Sequence, residues 1–314
     1  MFNSSLTGAI VIDKPQGPSS HDVVARVRRA LGVQRIGHTG TLDPLATGVL
    51  PLLVGPATRL ARFLAAGEKT YDARIRLGVA TDTYDATGKP VPLTGAGRPV
   101  PAPTDQAVIA AALAEMCGAA MQAPPPFSAK KIGGYRAYDL ARRHQAVEPE
   151  PVSVTAHAID LIRIDLTAVD VRIVCSPGYY VRSLAHDLGV RLGCGAHLEK
   201  LRRVRSGGFG VEDACALDTV EREGLGAAAR IVPPERLLPN LPAVILNDRG
   251  ARRAAHGNPI LASDYRGPDE RVRDVATGPE SSYPEVRLLG QDGALLGIGA
   301  LRAGRVLHPV VVLV

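Results

Sequence analysis

A chain of 314 residues has room for one large domain or two, and 46% hydrophobic with 22% charged residues is the balance of a chain that buries a full core, which excludes disorder as its native state. Its 37 Lys and Arg against 31 Asp and Glu give a net charge of +6, a sign that favours phosphate-rich partners without naming one. Four cysteines with no Cys-x-x-Cys pair exclude a zinc cluster or disulfide framework as the organising feature, and no stretch approaches the ~18 consecutive apolar residues of a membrane span. The first apolar run, Ala9 to Ile12, lacks a basic segment before it and stops at Asp13-Lys14. It does not read as a signal peptide, and the expected compartment is the cytoplasm.

In chain order, Ala9 to Ile12 predicts a short buried strand closed by Pro15, Gly17 and Pro18. Ser19 and Asp22 have capping-box spacing, and Val23, Val24, Val27 and Leu31 recur at helical intervals while Arg26, Arg28 and Arg29 face outward. Gly37 to Gly48, rich in glycine and threonine and carrying Asp43-Pro44, predicts an irregular loop. Val49 to Val54 predicts a buried strand and Thr58 to Ala65 a short helix. Tyr71, Ala73, Ile75 and Leu77 alternate with Asp72, Arg74 and Arg76 as a half-buried strand should. Pro90, Pro92, Pro99, Pro101 and Pro103 mark a surface connection, followed by a helix from Val108 to Met116. The stretch from about 124 to 150 opens with Pro124-Pro125-Pro126, holds Gly133-Gly134, and carries Lys130, Lys131, Arg136, Arg142, Arg143 and His144. It predicts a basic insertion suited to gripping RNA. Val152 to Cys175 reads as extended, and Tyr179 to Leu192 as a helix with Val181, Ala185 and Leu188 inward. Pro233, Pro234, Pro239 and Pro242 then mark a boundary, dividing the chain into 1–242 and a region of short strands and turns, 243–314.

Two motif matches fail on context. Gly224-Leu225-Gly226 fits a dinucleotide-binding pattern, but polar residues precede it where a strand is required. His197-Leu198-Glu199 is half of a zinc deaminase signature whose Pro-Cys-x-x-Cys half is missing. Gly37 to Gly48 is different: its glycines permit close backbone approach, His38, Thr39, Thr41 and Thr47 supply polar contacts, and Asp43 stands as a lone carboxylate. One ionised carboxylate can attack carbon or stabilise positive charge at a sugar C1′.

The run Gly37-His38-Thr39-Gly40-Thr41-Leu42-Asp43-Pro44-Leu45-Ala46-Thr47-Gly48 resembles the catalytic motif of the bacterial tRNA pseudouridine-55 synthase family, TruB. Further blocks resemble that family in the same order: Val11-Ile12-Asp13-Lys14-Pro15, Lys69-Thr70-Tyr71, Thr81-Asp82-Thr83 with Asp85, and Phe127-Ser128-Ala129-Lys130-Lys131. Gly178-Tyr179-Tyr180-Val181-Arg182, Gly193-Cys194-Gly195-Ala196-His197 and Leu201-Arg202-Arg203 complete the series. The resemblance implies an α+β fold: a catalytic domain (1–242) on a mixed, mainly antiparallel sheet with flanking helices, and a small β-rich PUA-like RNA-binding domain (243–314). It implies isomerisation of uridine 55 in the T-loop of tRNA to pseudouridine without cofactor or metal, by a chain expected to act as a monomer, away from membranes, on a flipped-out base.

The family likeness makes Asp43 the nucleophile or the base that starts glycosidic cleavage. It makes Tyr71 the residue that stacks on the target base, with a hand in removing the C5 proton, and Arg182 the partner that orients the aspartate. His38 is the candidate to fill the stacking position the uridine leaves. Arg59, Lys130 and Lys131 are candidate phosphate contacts, and Leu201 a candidate lining of the base pocket. Tyr180, also assigned to substrate binding, and Pro177 stand where the family more often has Thr and a polar residue.

Overall fold

The computed structural model describes residues 6–92, 102–103, 105–127, 131–132, 135–136, 150–267, 285–302 and 305–313. The chain opens on the buried strand β1 (Gly8–Lys14), and α1 (Ser20–Ala30) follows with the full capping box: Ser19 accepts from the Asp22 amide, and the Asp22 carboxylate accepts from the Ser19 amide. The expected 37–48 loop is shorter than the sequence suggests, because Gly37 and His38 belong to β2 (Ile36–His38) and Thr47 and Gly48 begin β3 (Thr47–Val54). Residues 39–46 alone are irregular. The helix expected over 58–65 is two short pieces, a 3-10 turn at Gly55–Leu60 and α2 (Ala61–Ala65).

The strand β4 (Lys69–Leu77) alternates buried and half-buried residues at every step, with Tyr71, Ala73, Ile75 and Leu77 on the covered face. Short strands β5 (Ala80–Thr81) and β6 (Pro90–Val91) pair with each other, and α3 (Gln106–Ala114) leads to β7 (Gly118–Gln122). Of the basic insertion the described parts are its flanks and the pair β8 (Lys131–Ile132) and β9 (Tyr135–Arg136), whose side chains lie outside the described residues. The long strands β10 (Val152–Asp165) and β11 (Ala168–Cys175) form an antiparallel pair, then come α4 (Val181–Arg191), β12 (Ala196–Ser206), β13 (Phe209–Gly210), β14 (Cys215–Ala216) and α5 (Leu217–Glu223).

These strands build one ten-stranded sheet in the order β14-β1-β3-β12-β4-β11-β10-β7, with β2 on β3 and β13 on β12. Only β1–β14 and β3–β12 pair parallel, so the sheet is mixed and mainly antiparallel. Helices α1, α3 and α4 share with the sheet's covered face one apolar core that includes Ile10, Val27, Leu50, Ile75, Ile173 and Leu188. A second sheet, β16-β15-β17-β18-β19, follows: β15 (Ala243–Leu246), α6 (Asp248–Ala255), β16 (Tyr265–Arg266), β17 (Glu285–Leu289), β18 (Leu295–Arg302) and β19 (Val306–Val312). Leu295, Ile298 and Val311 of this sheet pack with Ala9 and Leu53 of the first, and with Leu60 of the 3-10 turn, in a shared apolar cluster. No helix among the described residues is long and apolar enough to cross a membrane.

Candidate active site

The 39–46 segment is fastened by side chains remote in sequence. Lys14 ends an apolar strand, is fully buried, and its ammonium donates to the carbonyls of Ala46 (2.7 Å), Pro15 (2.9 Å) and Pro44 (3.5 Å). Burial pulls its pKa down to about 8, opposed by the negative charge of Asp43. Ser20, in the first turn of α1, donates to the Leu42 carbonyl (2.9 Å) and accepts from the Leu42 amide (2.8 Å). The Gly17 amide donates to the Pro44 carbonyl (2.9 Å) and the Ala46 amide closes a turn on the Asp43 carbonyl (3.0 Å). These bonds fasten the backbone of the turn while the Asp43 side chain stays 41% exposed.

Arg182 reaches that carboxylate from the first turn of α4. Its Nε lies 2.9 Å from Asp43 Oδ2, and the guanidinium is almost wholly buried. The helix start is held by a reciprocal pair in which the Tyr180 amide donates to Gln122 Oε1 (2.8 Å) and Gln122 Nε2 donates to the Tyr180 carbonyl (3.0 Å). Ser183 adds a bond to the Ala123 carbonyl (2.7 Å). The far side of the guanidinium meets the Thr83 carbonyl (3.3 Å) and the buried Asp85 carboxylate (3.8 Å). Asp85 is fixed in turn by Thr83 Oγ1 (2.9 Å), the Thr87 amide (2.9 Å) and Thr87 Oγ1 (2.5 Å). A chain of charges, Asp43, Arg182, Asp85, thus runs from the cavity into the protein.

The cavity has a volume of about 490 Å³ and is lined by residues 39–43, Ala65, Lys69, Tyr71, 176–182, Leu201 and Arg203. Among these Asp43 is the one carboxylate, while Lys69, Arg182 and Arg203 bring cations. Lys69 is buried, which lowers its pKa, and donates to the Ala65 and Gly67 carbonyls. Tyr71 is 8% exposed, and burial pushes its hydroxyl above the usual tyrosine value, opposed by neighbouring Arg203. Tyr71 is therefore a neutral phenol at pH 7, able to stack and to donate a hydrogen bond.

Of the residues singled out in the sequence, the fold brings Asp43, Tyr71, Arg182, Leu201 and Tyr180 to this one cavity from a loop, two strands and the start of a helix. His38 is half-buried on β2, one residue before the lining, with its ring 5.5 Å from that of His21 in an edge-on arrangement. Burial holds its pKa below the usual histidine value. Arg59 is elsewhere: its guanidinium donates to the Val312 carbonyl of β19 at 2.5 Å, where the two sheets meet. Lys130 and the Lys131 side chain lie outside the described residues. The motif blocks hold Lys14, Asp85 and Arg203 without giving any of them a role in the site, and Ser20 stands in none of them. The available signal was a lysine closing a mostly apolar strand and an arginine sharing the inward parity of Leu201.

The known proteins that this chain resembles in sequence and in fold agree with one another. Residues 28–181 match the family model described as "TruB family pseudouridylate synthase (N terminal domain)", and 182–238 the "tRNA pseudouridylate synthase B C-terminal domain". The tRNA pseudouridine synthase B of Solibacter usitatus is 41% identical over 98% of this chain and 100% of its own length. That of Thermobifida fusca is 41% identical over 97% of this chain and 98% of its own. Among solved structures, a chain of an archaeal box H/ACA sRNP complex superposes with a TM-score of 0.71 at 25% identity, covering 99% of this chain and 87% of that one. A chain from an H/ACA RNP bound to a substrate RNA containing 2′-deoxyuridine gives 0.69 at 25% identity, covering 98% and 85%. With the cavity's Asp43 and Tyr71 inside the first family model and Arg182 opening the second, this chain belongs to the TruB family of pseudouridylate synthases.

Proposed function

We infer that the chain is a tRNA pseudouridine synthase that isomerises a uridine of the T-loop, position 55, to pseudouridine. The observation that carries the reading is the Arg182–Asp43 contact of 2.9 Å at a cavity that Tyr71 lines and whose lining, among the described residues, holds no other carboxylate. In the reaction the N1–C1′ bond breaks, the uracil turns, C5 bonds to C1′, and the C5 proton is lost as N1 gains one, so product and substrate have the same mass. Asp43 attacks carbon or removes a proton to start cleavage. Arg182 orients it, and the pocket cations favour negative charge on the departing uracil. Tyr71 stacks on the base, Leu201 and Tyr180 line its pocket, and His38 fills the place of the extruded nucleotide.

Glycoside hydrolysis is less well supported, because it ordinarily uses two acids ~5–9.5 Å apart across the bond. The carboxylate next along the chain of charges, Asp85, sits behind Arg182 and outside the cavity lining. We further propose that 1–242 is the catalytic domain, that 243–314 is a PUA-like RNA-binding domain, that Lys130 and Lys131 contact tRNA phosphates, and that the chain works as a cytoplasmic monomer. Incubation with an unmodified tRNA transcript tests the activity. The expected result is pseudouridine at the T-loop uridine with no change in RNA mass, whereas release of free uracil would replace this reading with hydrolysis.

A further inference from the structure

Arg203 is 1% exposed, yet among the described residues no carboxylate forms an ion pair with it. Neutral oxygens meet its charge: Nε donates to the Val49 carbonyl (2.7 Å), Nη2 to Gly40 (3.1 Å) and Nη1 to Thr41 (3.5 Å). A buried guanidinium without a counter-ion is costly, and filling the same volume with an apolar side chain would stabilise the fold as well or better. Its placement points to another use. In the β12–β4 register Arg203 stands directly opposite Tyr71, and both line the cavity. The nearby guanidinium holds the Tyr71 hydroxyl's pKa down against the upward push of burial. The approach is built into the backbone too. Gly48 pairs with Arg203 at a φ of +100°, and a Cβ there would lie 2.2 Å from the Arg203 carbonyl oxygen.

We propose that Arg203 is a positioning residue that links the Tyr71 hydroxyl to the Gly40 and Thr41 carbonyls, holding the base-facing tyrosine and the Asp43 loop at one fixed separation. The proposal rests on the pseudouridine synthase reading. It gives the free side of the loop a clamp, as Lys14 and Ser20 give the other side, and a displacement of about 1 Å at such a site can cost on the order of 10²-fold in rate.

The test is a double-mutant cycle on single-turnover pseudouridine formation in the full chain, with tRNA affinity and denaturant unfolding measured on each protein. Arg203→Lys is expected to slow the step by on the order of 10²-fold. In a Tyr71→Phe background the same substitution is expected to cost clearly less, about 10-fold or below, because the link to the hydroxyl is already gone and only the loop clamp is left to lose. Affinity for tRNA is expected to stay within about 3-fold, the signature of a lost rate rather than lost binding. Arg203→Gln, which keeps donors for the carbonyls, serves as the second variant. Equal fold-losses with and without the Tyr71 hydroxyl would overturn the proposal, as would failure of both variants to unfold cooperatively, which would make Arg203 a residue of the fold alone. Asp43→Asn separates this from the underlying reading: an inactive Asp43→Asn beside a fully active Arg203→Lys sinks the Arg203 proposal only, and a fully active Asp43→Asn sinks the reading.

Discussion

Two Arg–Asp ion pairs lie on opposite sides of the ten-stranded sheet, in two environments. On the open face Arg172 grips Asp72 with two hydrogen bonds, 2.7 and 2.8 Å, both partners about half exposed. On the covered side Arg182 holds one oxygen of Asp43 at 2.9 Å, with its guanidinium buried and the carboxylate open toward the cavity. Geometry alone would rank the Asp72 pair higher. Water screens it, however, and exposed pairs contribute about 0–1 kcal/mol. In the cavity the cation is withdrawn from water and backed by Asp85, so it fixes a carboxylate that keeps a free edge for substrate. Adjacent residues of β4 serve the two sides, with Tyr71 facing the cavity and Asp72 the solvent.

Removing Arg182 should break the contrast most sharply. Arg182→Met is expected to lower the single-turnover rate by on the order of 10²-fold or more, with tRNA still bound, because it frees Asp43 and strands buried Asp85. A rapid-quench assay reads this, and a loss below 3-fold would make the covered pair equivalent to the surface one.

The next effect concerns Lys14. Its pKa is about 8 in the folded chain against 10.5 as a free side chain, so below pH 8 the folded state carries the full cost of a buried cation. As pH rises from 8 to 10.5 the unfolded chain binds more protons, and the wild type gains stability relative to Lys14→Met by about 1–3 kcal/mol. Urea midpoints of the two proteins across that window check the sign; a gap that stays constant or moves against the wild type contradicts it. Arg59→Ala, which removes the donor to Val312 where the sheets meet, is expected to cost about 0.5–1.5 kcal/mol in the same assay and to leave the rate unchanged. Asp72→Asn is the smallest change, within about 1 kcal/mol in stability and without effect on rate. A rate loss there would mean that the open face takes part in catalysis.

The contrast also shows what the sequence can carry. Alternation along 69–77 assigned Tyr71 and Asp72 to opposite faces, and the capping box at Ser19 started α1 at the right residue, because both signals are local. The edges of the 37–48 loop were misread: Gly37 and His38 pair with Leu53 and Leu52, a long-range ladder that overrides glycine-rich composition. The resemblance to a known family, rather than periodicity, supplied the Arg182–Asp43 pairing across the chain. The clamp of Lys14, Ser20 and Arg203 was faint, because each donates to backbone carbonyls, which leave no trace in residue identity; strand position alone hinted at Lys14 and Arg203. Arg59, a phosphate ligand by residue type, also donates to the Val312 carbonyl, a long-range contact that only the placement of β19 shows.

The measurement that bears most directly on Asp43 is site-resolved mapping of pseudouridine in tRNA treated with wild type and with Asp43→Asn, alongside tRNA binding by each. Wild type should convert the T-loop uridine, and Asp43→Asn should bind tRNA yet convert none. Full conversion by Asp43→Asn would contradict the account.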